Sequence, residues 1–250
     1  MIKLITSALQ PSLCSASEQQ SKPLRVGLFQ MRWDSDPKAH VARLHEGVAT
    51  CAHAGAELVF LPELTLSRYP ADKRPQGDKD RQPERLEDGP TVAFAQEAAR
   101  ANDVFVQVSL YEQADRDDGL GYNTAVLVGP SGKIVARTRK LHIPVTEGYF
   151  EDCYFAQGPN ETPYPVHSVA TDNADVQLGL PTCWDEWFPE VARSYGLGGA
   201  DLLCYPTAIG SEPDHPDFNT RRLWQSVIVG HAIANGLFIA APNRTGIEGL

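Results

Sequence analysis

Basic charge is in short supply in this chain. Its 22 Lys and Arg stand against 32 Asp and Glu, a formal charge of −10, and the basic residues form no patch. A nucleic-acid or anionic-membrane partner is therefore excluded, since either requires clustered cations. Long apolar runs are missing too, and none approaches the length of a bilayer span. Cysteine is sparse: the five sit at 14, 51, 153, 183 and 204, with no C-x-x-C pair and one left over if bridged. That pattern suits a reducing compartment, here the cytoplasm, and not a disulfide framework. The seven histidines show no metal-binding spacing such as H-x-x-x-H, so no metal is expected. No Gly/Ser-rich linker, repeat or low-complexity tract divides the chain, which argues for one domain. The start, Met1-Ile2-Lys3-Leu4-Ile5, fails as a signal peptide because the apolar stretch stops at Thr6-Ser7. Residues 1–22 are expected to be a disordered polar extension.

What remains alternates apolar strands with helical patterns. Residues 24–30 read as a first strand, and Asp36-Pro37 caps a helix whose face carries Val41, Leu44, Val48 and Cys51. Residues 57–63 form an apolar run without alternation, a strand covered on both faces, and it ends on Glu63. The polar stretch 67–88 is too long for a simple connection and reads as a lid or mobile loop. A helix over 91–102 and a strand over 104–111 follow. Segments 122–128 and 133–137 flank Gly129-Pro130-Ser131-Gly132 as a hairpin, so the sheet is not purely parallel. Lys140 stands directly after that hairpin. A short strand ending at Leu180 leads to Cys183, and a helix opens at Pro189. A thiol at such a turn is expected to feel the helix's positive end, which favours thiolate. Residues 200–206 are another buried strand, 218–235 a helix with Leu223, Val227, His231 and Ala234 near one face, and 237–241 a last strand.

Glu63, Lys140 and Cys183 thus share strand-end positions. Taken singly they are a solvated acid, a surface lysine and a buried cysteine. Together they supply a base, a cation for an oxyanion and a nucleophile, the groups needed to hydrolyse an amide-like C–N bond. Spacing alone does not bring them together.

Pro62-Glu63-Leu64, Arg139-Lys140-Leu141-His142-Ile143-Pro144 and Cys183-Trp184-Asp185-Glu186-Trp187-Phe188-Pro189-Glu190 resemble the Glu, Lys and Cys signatures of the nitrilase superfamily of carbon–nitrogen hydrolases. Tyr205-Pro206-Thr207-Ala208-Ile209-Gly210 and Asn243-Arg244-Thr245-Gly246-Ile247-Glu248-Gly249 are similar to segments the family has in these places. Gly148-Tyr149-Phe150-Glu151-Asp152-Cys153-Tyr154-Phe155 resembles the N-carbamoylputrescine amidase branch. Thr65-Leu66-Ser67-Arg68-Tyr69-Pro70 departs from that branch's more aromatic continuation.

The resemblance implies a four-layer α-β-β-α sandwich of two mixed sheets, with 23–250 as one hydrolase domain lacking the family's usual C-terminal end. It also implies a homodimer or larger assembly through the helical layers. It gives Glu63, Lys140 and Cys183 the catalytic roles, with Glu151 as second glutamate. Trp184, Asp185, Tyr69, His142 and Thr207 are the expected substrate-binding residues. No cofactor is implied. The expected substrate is a small amide or N-carbamoyl amine, with N-carbamoylputrescine first and a place in polyamine metabolism. A β-ureido acid, an ω-amide or an aliphatic amide are alternatives, and a non-catalytic scaffold is another. Acidic side chains in the pocket, with Asp185 and Glu186 as candidates, would favour an amine, and an unpaired Arg such as Arg68 a carboxylate.

Overall fold

Successive residues of the central strands face two different apolar layers, which is why their sequences show no polar alternation. The computed structural model describes residues 2–7, 23–212 and 214–248. One sheet has the order β1 (Val26–Leu28), β2 (Leu58–Phe60), β3 (Phe105–Glu112), β4 (Tyr122–Val128), β5 (Ile134–Arg139). Its first three strands are parallel and β4 and β5 antiparallel. The second has the order β11 (Phe238–Ala240), β10 (Leu202–Cys204), β9 (Asp175–Gly179), β8 (Val166–Ala170), and only the β8–β9 pairing is antiparallel. A short ribbon, β6 (Val145–Thr146) with β7 (Tyr149–Phe150), stands apart.

Leu58, Phe60, Ala125 and Leu127 of the first sheet meet Leu178, Leu202 and Cys204 of the second. The intervening Val59, Val126 and Leu203 point outward to the helices. Each such side chain contributes roughly 1.5–3 kcal/mol by leaving water. Helices α1 (Pro37–His53) and α2 (Pro90–Asn102) cover the first sheet, with Leu44, Val48, Phe94 and Ala98 buried. Asp36 caps α1 as expected, accepting from Lys38 N at 2.9 Å. Helix α3 (Pro189–Leu197) covers the second sheet through Val191, Ala192 and Tyr195. Each layer lies against the next as helix, sheet, sheet, helix, the sandwich expected from the sequence.

Helix α4 (Arg221–Asn235) corrects the sequence reading in register. Phe218 precedes it, Leu223 is 54 % exposed, and the inward positions are Trp224, Val227, Ile228 and His231, none fully buried. Of the expected extension, residues 8–22 lie outside the described residues, while Ile2 packs against the α1–α2 cluster. Segment 67–88 is anchored at its start, while much of the rest is exposed. Tyr69 and Ala71 join an aromatic cluster with Tyr111, Tyr149, Tyr154 and Phe155. Among the described residues no helix is long and apolar enough to cross a membrane.

Candidate active site

The exits of β2, β5 and β9 lead to Glu63, Lys140 and Cys183, the strand ends at which α/β sheets place their sites. All three are buried, at 0 %, 1 % and 7 % exposure. Lys140 Nζ lies 3.0 Å from Glu63 Oε1 and 2.8 Å from each oxygen of Glu151. Asn123 Nδ2 donates to Glu63 Oε1 at 2.7 Å, and Ser109 Oγ donates in turn to Asn123 Oδ1 at 3.2 Å. These contacts leave Glu63 Oε2 without a donor among the described residues. A free carboxylate oxygen in a site is an available proton acceptor.

Burial works against the Lys140 ammonium, but the adjacent Glu151 and Glu63 carboxylates hold it above the ordinary lysine value. Burial pushes Glu151 up to about 7, against the pull of Lys140. The Tyr69 hydroxyl, kept protonated by burial and by Glu151, donates to Glu151 Oε1 at 2.8 Å. Cys183 is pushed well up by burial, then by the charge of Glu63, while Lys140 and the Ala208 backbone partly offset this. This corrects the expected thiolate. The turn after Cys183 is a short 3₁₀ segment, Cys183–Trp187, separated from α3 by Phe188, so burial, with the neighbouring carboxylates, outweighs any helix end. A resting thiol that needs a base is the consequence.

Backbone strain marks the same place. Leu64 and Cys183 adopt φ of 49° and 43°, a left-handed region costing an L-residue about 1–3 kcal/mol. Cys183 N donates to Pro206 O at 3.0 Å, just beyond β10, and Leu64 N to Ser109 Oγ of β3 at 3.1 Å, so both turns are held from neighbouring segments.

Several expected substrate contacts are otherwise engaged. Asp185 Oδ1 accepts from His142 N at 2.9 Å and meets its Nδ1 at 2.8 Å, and Oδ2 accepts from Thr182 N at 2.9 Å. It closes a capping box and anchors the strand-end carrying Lys140. His142 stacks on Phe188 at 3.7 Å between ring centroids. Thr207 is fully buried, its hydroxyl donating to Tyr205 O at 2.8 Å. Trp184 is half-buried, edge-on to Trp187. Tyr69 does face a cavity, one of about 460 Å³ lined also by Tyr149, Ala208, Glu212, Arg68 and Arg244. Asn123 and Glu212 were not singled out from the sequence, and Tyr149 and Arg244 were quoted only within longer segments and given no role. The signal available for Asn123 was its polarity inside an otherwise apolar strand. Among the described residues no group of three His, Cys, Asp or Glu is arranged to hold a metal ion.

Glu186, beside the site, is 1 % exposed, and neither carboxylate oxygen meets a donor among the described residues. Burial raises it to about 8. A carboxyl raised in the folded state stabilises fully below its unfolded value, and that contribution is lost as pH rises through the folded one. Unfolding in urea should therefore show stability falling between pH 5 and 8.5, and Glu186→Gln should remove on the order of 2 kcal/mol of that fall. Parallel pH profiles for parent and variant would refute this.

The sandwich and this cluster define a carbon–nitrogen hydrolase. The carbon-nitrogen hydrolase family profile matches residues 25–250, and the chain belongs to that family. It is 33% identical to a citrullinase from Francisella tularensis over 90% of this chain and 75% of that protein. It is 32% identical to an N-carbamoylputrescine amidase from Arabidopsis thaliana over 93% and 74%. A carbon-nitrogen hydrolase from Helicobacter pylori G27 superposes with a TM-score of 0.74 at 30% identity, covering 90% of this chain and 75% of that one. An amidase from Nesterenkonia sp. shares the fold at 22% identity and a TM-score of 0.65, covering 93% and 81%. The chain is accordingly a hydrolase of amide-type C–N bonds acting on a small molecule.

Proposed function

We propose that the chain removes the carbamoyl group of a small ureido compound ending in an ammonium, with N-carbamoylputrescine as the best fit, in polyamine metabolism. Glu63 takes the proton of Cys183, and the sulfur attacks the ureido carbon. The oxyanion is held by Lys140 and a backbone N–H at Trp184. Collapse expels ammonia, which carries the proton returned by Glu63, and leaves a thiocarbamate on Cys183. Water, deprotonated by the same carboxylate, attacks that carbon and releases the thiol. The carbamic acid so formed decomposes to free amine and carbon dioxide. Glu151 and Tyr69 hold Lys140 in place.

The observation that carries the substrate reading is the charge of the cavity. Arg68 is forked onto Asp72, and Arg244 meets both oxygens of Glu248 at 2.7 and 2.6 Å. Their charges are thereby matched. Glu212, on the same wall, has no ion-pair partner among the described residues. Tyr149 ties this acid to the chemistry. Its hydroxyl accepts from Gly210 N at 3.0 Å, two residues from Glu212, and its ring lies edge-on to that of Tyr69, whose hydroxyl reaches Glu151. An unmatched carboxylate prefers an ammonium and repels a carboxylate tail. Citrulline is the competing reading, favoured by the citrullinase relative, but both guanidinium groups described on the cavity wall, Arg68 and Arg244, are already paired.

Ammonia release from N-carbamoylputrescine, citrulline, a β-ureido acid, an ω-amide and an aliphatic amide, side by side, tests the reading. The carbamoyl amine should give the highest kcat/KM. Glu212→Gln should raise its KM about tenfold while changing kcat little, the loss of one charge-assisted contact. Citrulline turning over faster, or a KM indifferent to Glu212, would reverse the substrate assignment.

We also propose that the chain works in the cytoplasm as a homo-oligomer through its helical layer. Cys51, Cys153, Cys183 and Cys204 are free thiols, and α4 with its neighbours exposes Leu223, Ile233, Leu197 and Phe238. Light scattering on the purified chain tests the assembly.

A further inference from the structure

The Arg244 guanidinium is spent on main-chain oxygens of the segment that carries Glu63. Its Nε and Nη2 donate to Glu63 O at 3.1 and 2.9 Å, and Nη2 also to Leu64 O and Ser67 O, both at 2.6 Å. Nη1 donates to both Glu248 oxygens. The Arg244 side chain is only 9% exposed and that of Glu248 17%. One planar fork thus spans the turn in which Leu64 takes its left-handed backbone, a conformation that persists only where surrounding contacts over-determine it.

Glu248 closes the circuit. Its Oε2 accepts from Tyr69 N at 3.3 Å, and its carbonyl from Arg68 Nε at 3.0 Å. Tyr69 OH reaches Glu151, Glu151 reaches Lys140, and Lys140 reaches the Glu63 side chain. From Glu63 O the path returns to Arg244. A ring of contacts therefore runs through Glu63, Lys140 and Glu151, the charged members of the cluster, and 244–248 joins it from beyond β11.

We propose that Arg244, backed by Glu248, is a positioning residue that fixes the carboxylate of Glu63 against Cys183. It acts through the backbone and not by binding substrate. This rests on the roles proposed for Glu63 and Cys183. The guanidinium is the suitable group because one ammonium cannot reach three carbonyls and a carboxylate in a plane. Misplacing a reacting group by about 1 Å costs on the order of 100-fold in rate.

The test is steady-state ammonia release by Arg244→Gln, Arg244→Lys and Glu248→Gln on the best substrate of the panel, with Cys183 alkylation stoichiometry by mass spectrometry. Arg244→Gln should lower kcat about 100-fold with KM within about threefold and one alkylated Cys183 per chain. Arg244→Lys, which keeps the charge and loses the fork, should recover less than about a tenth of the parent kcat. A structural loss alone would lower the alkylated fraction together with the rate. Should Arg244→Gln not fold, Glu248→Gln keeps the carbonyl contacts and should still cost about fivefold in kcat. A kcat above a third of the parent in folded Arg244→Gln overturns the proposal, as does a KM rise that accounts for the loss. So does full kcat in Glu248→Gln where that variant is the one measured. If Glu63→Gln and Cys183→Ala also turn over substrate, the reading of the site fails instead. If both are dead while Arg244→Gln is active, only the positioning role fails.

Discussion

Cys183→Ala is expected to lower ammonia release by at least about 10⁴-fold, the scale on which loss of a nucleophile falls. Cys153→Ala and Cys204→Ala should stay within about threefold of the parent, each being a change away from the reacting atoms. The contrast follows from placement. Cys153 is half-buried beside the Arg74 guanidinium at 3.4 Å, and Cys204 lies between the sheets, its Sγ 3.7 Å from Gln107 Oε1. Among the described free thiols, Cys183 is the one with Glu63, Lys140 and Glu151 acting on it. The same electrostatics set a signed second expectation. The Glu63 charge helps hold the Cys183 thiol up, so Glu63→Gln should destroy turnover while leaving Cys183 at least as easy to alkylate. A base-only view without charge coupling predicts that both fall together. Rates of iodoacetamide labelling for parent and variant decide, and turnover surviving in Cys183→Ala would end the covalent route.

The layers of the sandwich were legible because period-two burial leaves apolar runs such as 57–63 and 200–206 wherever both faces are covered. The antiparallel hairpin was legible from Gly129-Pro130-Ser131-Gly132, and Gly132 does take φ of 78°. Helix α4 was misread because apolar residues occur on more than one of its sides, so periodicity did not single out the inward one. In the site, residues on strand ends next to a distinctive motif could be named. Arg244 could not be named in this way, because its partners are distant in sequence. Arg244 and Glu63 are separated by 181 positions, and nothing local to either announces the contact. The contacts of Asp185 have a local signal. Thr182 and Asp185 have the spacing of a capping box, and the acid does cap that turn.

Lys140→Met should cost at least about 10³-fold in kcat and also destabilise the chain by on the order of 3 kcal/mol. Both effects have one cause. Lys140 is the single cation between two carboxylates, Glu63 and Glu151, that are themselves 0 % and 1 % exposed, and its removal leaves them facing each other without compensation. The carboxylates can relieve this by taking up a proton. Glu151 already stands at about 7 through burial, and without Lys140 the pull that lowers it is gone. A carboxyl raised in the folded state keeps its full contribution below the unfolded value, and loses it as pH rises through the folded one. The stability deficit of Lys140→Met should therefore be smallest near pH 5 and grow toward pH 8. Denaturant unfolding at those two pH values measures it. Lys140→Arg should not rescue activity, because Lys140 is among the largest fully buried side chains and a planar guanidinium does not fit the space of an ammonium. A deficit that shrinks as pH rises would show that Glu151 is not the group taking up the proton. A kcat within tenfold of the parent in Lys140→Met would remove the lysine from the oxyanion role.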